Sequence, residues 1–139
     1  MTRLDALLDW YSTLSPATLA QAADHYHCDA LFKDPFNEVA GVVAIVAVFE
    51  HMFSTTDHPR FILHDRIMQG QQAFVTWTFE FGLNGKPYSI RGASHIKFNE
   101  HGMVLLHRDY WDAAEELFQK LPLVGAPVRW LRARFKVSI

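Results

Sequence analysis

A single cysteine, Cys28, in 139 residues leaves no partner for an internal disulfide, so stability has to come from a buried core. An excess of one charge is also missing. Thirteen Lys and Arg stand against fifteen Asp and Glu, a net of −2 that offers no broad basic footprint for a nucleic-acid backbone and too little repulsion for disorder. No apolar stretch is long enough to cross a bilayer: the longest, Val39 to Phe49 with Gly41 inside it, is 11 residues where ~20 are needed. There is no glycine-rich phosphate loop, paired-cysteine knuckle, two-histidine zinc helix or Gly-x-Ser-x-Gly elbow, which sets aside dinucleotide, nucleoside triphosphate and serine-hydrolase chemistry. The stretch from Met1 to Tyr11 lacks the basic flank and apolar core of a secretory leader, and a cytoplasmic location is expected.

What is present is an apolar, aromatic chain, 50% hydrophobic and 14% aromatic, of a size that makes one domain. Thr2 and Asp5 stand at capping-box spacing before Leu4, Leu7, Leu8, Tyr11 and Leu14, which predicts a first helix with Tyr11 on its buried stripe. Ser15 and Pro16 predict the start of a second helix through Leu19, Ala22 and Ala23 toward His27. Asp29-Ala-Leu-Phe-Lys-Asp34 then reads as a short strand stopped by Pro35. The run after Gly41, Val42 to Phe53, predicts a helix covered on most sides. From Arg60 the period changes to two, with turn signals at residues 69–71, 83–86 and 99–102, and predicts a four-stranded meander whose firmest turn is Asn84-Gly85. Asp112 and Glu115 predict a short helix ended by Pro122, followed by a basic amphipathic tail over 126–139. This order is an α+β layout: a cone-like curved antiparallel β-sheet wrapped around N-terminal helices, a cystatin-like α+β roll over residues 1–125.

Chemistry is expected where polar residues sit on apolar faces. Asp34 shares a strand side with Ala30 and Phe32, as a general base would; a turn-capping role is the alternative. Ser94 lies on the apolar face of Ile90, Gly92, Ile96 and Phe98, with His95 pointing outward. Tyr11 could bring a phenol to the same interior or be a plain core tyrosine. In His107-Arg-Asp-Tyr-Trp-Asp112 the two alternating sets are both mixed, so Asp109 faces either inward or into a surface network with Arg108. Phe32, Phe36, Phe49, Phe53 and Trp77 are candidate walls for a substrate. His25, His27 and Cys28 crowd one helix end too closely to surround an ion, so no metal and no cofactor is expected. Arg129 to Lys136 could dock on anionic lipid or RNA, but with only four basic residues it reads rather as a solvated helix face.

These residues resemble those of nuclear transport factor 2-like proteins, in the SnoaL-like and ketosteroid isomerase-like branch, over about residues 3 to 125. Asp29-Ala-Leu-Phe-Lys-Asp-Pro35 after a helix pair is similar to the ketosteroid isomerase segment ending in its catalytic Asp-Pro, which implies Asp34 as base and Tyr11 as oxyanion donor. His107 to Asp112 followed by Leu121-Pro-Leu-Val-Gly125 resembles the closing strand and helix of limonene epoxide hydrolase and SnoaL-like cyclases, which implies a proton-transferring Asp109. The chain departs from both patterns. Ser94 stands where the isomerase has a protonated aspartate, and Thr76 and Thr78 stand where the epoxide hydrolase has an arginine and an aspartate. Phe32 and Asp34 replace a water-binding tyrosine and an asparagine of that hydrolase. The resemblance implies an isomerase or cyclase that moves a proton alpha to a carbonyl of an apolar substrate, or else a non-catalytic ligand-binding or regulatory module. A homodimer through the outer sheet face is expected in either case, because an open curved sheet leaves an apolar face to cover.

Overall fold

The computed structural model describes residues 2–137. Helix α1 (Arg3–Ser12) starts at the expected capping box: Thr2 Oγ1 accepts from the Asp5 N–H at 3.1 Å, and Asp5 Oδ2 accepts from the Thr2 N–H at 3.0 Å. Its stripe of Leu4, Leu7, Leu8 and Tyr11 is buried, as the spacing requires, and Trp10 joins it by donating its indole N–H to the Thr18 carbonyl. The second helix is a 3₁₀ helix over Pro16–Asp24, shorter than the sequence suggested. Its buried residues, Leu19 and Ala22, are three apart, the repeat of that helix type.

Strand β1 (Tyr26–Lys33) begins three residues before the expected strand and turns at Asp34 into β2 (Glu38–Ala40), a short partner that the sequence pattern did not reveal. Helix α2 (Val42–Thr55) presents Ile45 and Phe49 to the core, but Val43 is 82% exposed. The expectation of cover on most sides therefore fails. The helix packs against the 3₁₀ helix, β1 and the strand that follows it, and among the described residues Val43, Ala47, Glu50 and Ser54 are left exposed.

The meander follows: β3 (Asp57–Gln69), β4 (Gln72–Leu83), β5 (Lys86–Phe98) and β6 (Val104–Tyr110), all antiparallel neighbours. Asn84 and Gly85 both take positive φ, 50° and 78°, as the tight hairpin between β4 and β5 demands. Strand β6 then pairs in parallel with β1, giving a curved, unclosed sheet in the order β2-β1-β6-β5-β4-β3. Helix α3 (Ala113–Glu116), capped by the Asp112 carboxylate, and a 3₁₀ turn at Phe118–Lys120 lead into helix α4 (Gly125–Ala133). No helix among the described residues is long and apolar enough to cross a membrane.

Two sheet details position the site. Lys97 pairs with Leu106 but Phe98 pairs with Val104, so Leu105 is an extra residue on β6. This bulge flips the parity of the strand: Val104 and His107 both face the core, and Leu105 is exposed. The second detail is Gly92, which pairs with Trp77 across β4 and β5. A Cβ at Gly92 would lie 2.5 Å from Trp77 Cη2, so the indole can lie across the strand only because glycine stands there. Gly92→Ala is expected to displace the indole and cost about 1–3 kcal/mol, read as a lower urea midpoint with unchanged slope.

A candidate proton-transfer site at the open end of the cone

Strand β6 carries the centre of the site. With the bulge setting parity, His107 is 3% exposed and the Asp109 side chain 13% exposed, both on the concave side. The question left open by alternation is thus answered: Asp109 faces inward. Ser94 stands directly opposite it on β5, buried as its strand pattern predicted, and donates its hydroxyl proton to Asp109 Oδ1 at 2.5 Å. Trp77 Nε1 donates in turn to Ser94 Oγ at 2.8 Å, the contact that the bare Gly92 permits.

On the other side, His107 Nε2 lies 2.7 Å from the same Asp109 oxygen. Its Nδ1 lies 2.7 Å from the hydroxyls of both Tyr11 and Tyr26, which also touch each other. Burial pushes the pKa of each phenol upward; the neighbouring phenol and the Asp109 charge add to this at Tyr11, and the Asp109 charge adds to it at Tyr26. Both tyrosines therefore stay protonated. The imidazole Nδ1, with one lone pair, accepts from one phenol while the second phenol donates to the first. The ring proton then belongs on Nε2, where it is donated to Asp109. Every proton in this chain points at Asp109 Oδ1, from Tyr26 and Tyr11 through His107 and from Trp77 through Ser94. Asp109 Oδ2 has no hydrogen-bond partner among the described residues.

Asp109 lies between two cavities. A small one of about 20 Å³, lined by Tyr11, Ser94 and His107, sits behind it. In front opens an apolar pocket of about 390 Å³, walled by Phe32, Phe36, Phe49 and Trp77 and continued by Phe61, Phe79, Phe81 and Trp111. Phe53 packs with the partly buried side chains around the core, while Val48, Met52, Thr55 and Thr56 bring α2 to the pocket.

Asp34 also lines the pocket, apart from the buried chain. Its Oδ1 accepts from the Phe36 and Asn37 backbone N–H groups at 2.8 and 2.6 Å, and the Asn37 side-chain amide reaches both carboxylate oxygens. Those bonds shape the turn between β1 and β2. Three of the residues singled out from sequence, Tyr11, Ser94 and Asp109, are thus brought together, and Asp34 is not joined to them. Sequence reasoning missed His107 and Tyr26. The first shares Asp109's parity, a signal that was present, whereas the second fell in a segment read as the end of a helix. His27, Cys28 and Asp29 lie together at the surface where β1 shifts register against β6, and the Nδ1 of His27 accepts from the Asp29 N–H.

A model of the SnoaL-like domain matches residues 7–107. The chain belongs to the SnoaL-like domain family. Among solved structures, an epoxide hydrolase of Mycobacterium tuberculosis, described as similar to limonene epoxide hydrolase, shares 13% identity and a TM-score of 0.72, over 99% of this chain and 95% of that one. A protein of ketosteroid isomerase-like fold from Catenulispora acidiphila, solved with trimethylamine, shares 12% identity and a TM-score of 0.73, over 94% and 98%. TerC, co-crystallised with polyporic acid, shares 17% identity and a TM-score of 0.71, over 81% and 93%. At these identities the likeness is one of fold. No curated protein matches the sequence.

In this SnoaL-like domain the paired phenols link stability to alkaline pH. Unfolded tyrosines ionise near ~10, and the native state holds its phenolic protons to higher pH, so above that point unfolding releases protons and stability falls. The double variant Tyr11→Phe with Tyr26→Phe removes both hydroxyls that meet His107 Nδ1 among the described residues and should be about 1–3 kcal/mol less stable near neutrality. It should also lose less stability than the wild type between about pH 9 and 11. Urea midpoints of both proteins at the two pH values measure this.

Proposed function

We propose that this SnoaL-like domain moves a proton alpha to a carbonyl of an apolar, partly cyclic substrate, as an isomerase or cyclase does, with Asp109 as the proton-transfer group. The observation that carries the reading is the asymmetry of the Asp109 carboxylate: Oδ1 is held by Ser94 and His107, Oδ2 has no hydrogen-bond partner among the described residues, and Asp109 lines an aromatic pocket. A carboxylate fixed through one oxygen keeps the other aimed without the entropy of a free side chain. In the reaction Oδ2 takes the proton from the carbon, the electron pair of the broken C–H bond becomes the enolate, and return of the proton to the same or a conjugated carbon completes the cycle. The pocket's aromatic walls suit flat or cyclic apolar ligands.

Asp34, the base implied by resemblance, is the second carboxylate on the pocket wall. Its oxygens are occupied by the turn, which favours a structural part for it. Tyr11 and Ser94, expected as oxyanion donors, have committed their protons to the buried chain, which favours positioning over direct contact with substrate. The ring N–H groups of His51 and Trp111, both on the pocket wall, are the alternatives for meeting an enolate oxygen. Two copies are proposed to associate through the convex sheet face, where Leu31, Ile67, Phe74, Leu105 and Tyr110 are exposed.

Exchange of alpha hydrogens for deuterium in cyclic ketones and enones that bind the pocket, followed by NMR in D₂O, tests the proposal without requiring the natural product. Asp109→Asn should lower the exchange rate at least about a hundredfold, and Asp34→Asn should retain most of it. Bound ketones that show no catalysed exchange would favour the non-catalytic binding module.

A further inference from the structure

The last described segment shows a sharp change in composition. Residues 117–139 contain five cations, Lys120, Arg129, Arg132, Arg134 and Lys136, and no carboxylate, while residues 1–116 hold eight cations and fifteen carboxylates. Basic residues on a helix usually mark its solvated side, with the apolar side buried. Here the apolar side chains are open as well. Leu123, Trp130, Phe135 and Val137 are 95, 64, 82 and 81% exposed, and Val124 and Leu131 are also open.

The way α4 is anchored explains this. Arg129 donates to the Gln119 carbonyl, Arg132 donates to the Gln119 side-chain oxygen and pairs with Glu115 at 3.6 Å, and Gly125 is buried against the Gln119 backbone. The helix thus grips the preceding turn with glycine and the stems of two arginines. Val124, Leu131 and Phe135 follow one another at steps of seven and four on another side, with Trp130 beside them. Arg134 lies over the Trp130 ring, 5.4 Å from its centroid, so cation and indole occupy one surface. Lys136 follows on the same exposed stretch.

We propose that α4 and the residues through Val137 form a docking surface for an anionic lipid bilayer. A second copy of the chain would match the apolar arc but would set Arg134 and Lys136 against their own counterparts. A neutral hydrophobic partner would leave Arg134 and Lys136 without counter-charge. An anionic bilayer answers both features: its acyl boundary takes Leu131, Trp130 and Phe135, and its headgroups take the guanidinium and ammonium groups that reach past them.

Sedimentation of the full chain with vesicles of phosphatidylcholine alone, and of phosphatidylcholine carrying about 30% phosphatidylglycerol, tests the proposal. Binding is expected only to the anionic vesicles, weakening as salt rises. Arg134→Gln with Lys136→Gln should weaken it roughly thirtyfold, from about fivefold per cation at an anionic surface. Leu131→Ser with Phe135→Ser should abolish it, with circular dichroism and the urea midpoint confirming that both variants fold. No binding, equal binding to the neutral vesicles, or binding that both variants retain would overturn the proposal. So would self-association that the Leu131→Ser/Phe135→Ser variant loses, since the surface would then belong to a second copy.

Discussion

One carboxylate oxygen, Asp109 Oδ1, is where the buried polar groups of this protein end. Two donor chains reach it from opposite sides, Trp77 through Ser94 and the tyrosine pair through His107. A buried polar group without a partner is costly, so the protonation state of each member fixes that of the next. Because the Asp109 carboxylate can only accept, His107 presents a ring proton to it from Nε2, and its Nδ1 meets the phenol pair. The free oxygen at the pocket follows from that arrangement. The aspartate is held through Oδ1 by Ser94 and His107.

The fold supplies each contact through a local departure from regularity. The extra residue in β6 rotates His107 and Asp109 inward. The missing side chain at Gly92 lets the Trp77 indole cross to Ser94. The parallel pairing of β1 with β6 places Phe32 opposite His107, and Tyr26, from the start of β1, reaches the same ring by stacking and by its hydroxyl. A regular antiparallel meander without these features would be as good a sheet and would not build this site. Unpaired strands, bulges and close backbone approaches are where a sheet can accommodate function.

Where the sequence carried a repeating signal, it told the structure well. Alternation placed Ser94 inward and His95 outward, the capping box fixed the start of α1, and Asn84-Gly85 marked a hairpin that two positive φ values confirm. The architecture and the inward placement of Tyr11 and Ser94 were legible on that basis, together with the likeness to SnoaL-like proteins. Asp109 was not, because a bulge breaks the very alternation used to orient a strand. The 3₁₀ helix was read as an α-helix, since two buried positions three apart fit either period. Tyr26 was lost with that reading, and the β2 strand is too short to show a pattern. Asp34 illustrates a different limit: a carboxylate before a proline reads equally as base or as turn, and only its bonds to Phe36 and Asn37 separate the two.

The account rests on the proton carried by His107. Long-range nitrogen–proton NMR of the imidazole rings, assigned with His107→Gln, reads it directly at neutral pH. The structure predicts a ring proton on Nε2, and a change in that signal when Asp109 is replaced by Asn. A ring that carries its proton on Nδ1 and leaves Nε2 bare would mean that the chain does not converge on Asp109, and Oδ1 would lose one of its two donors.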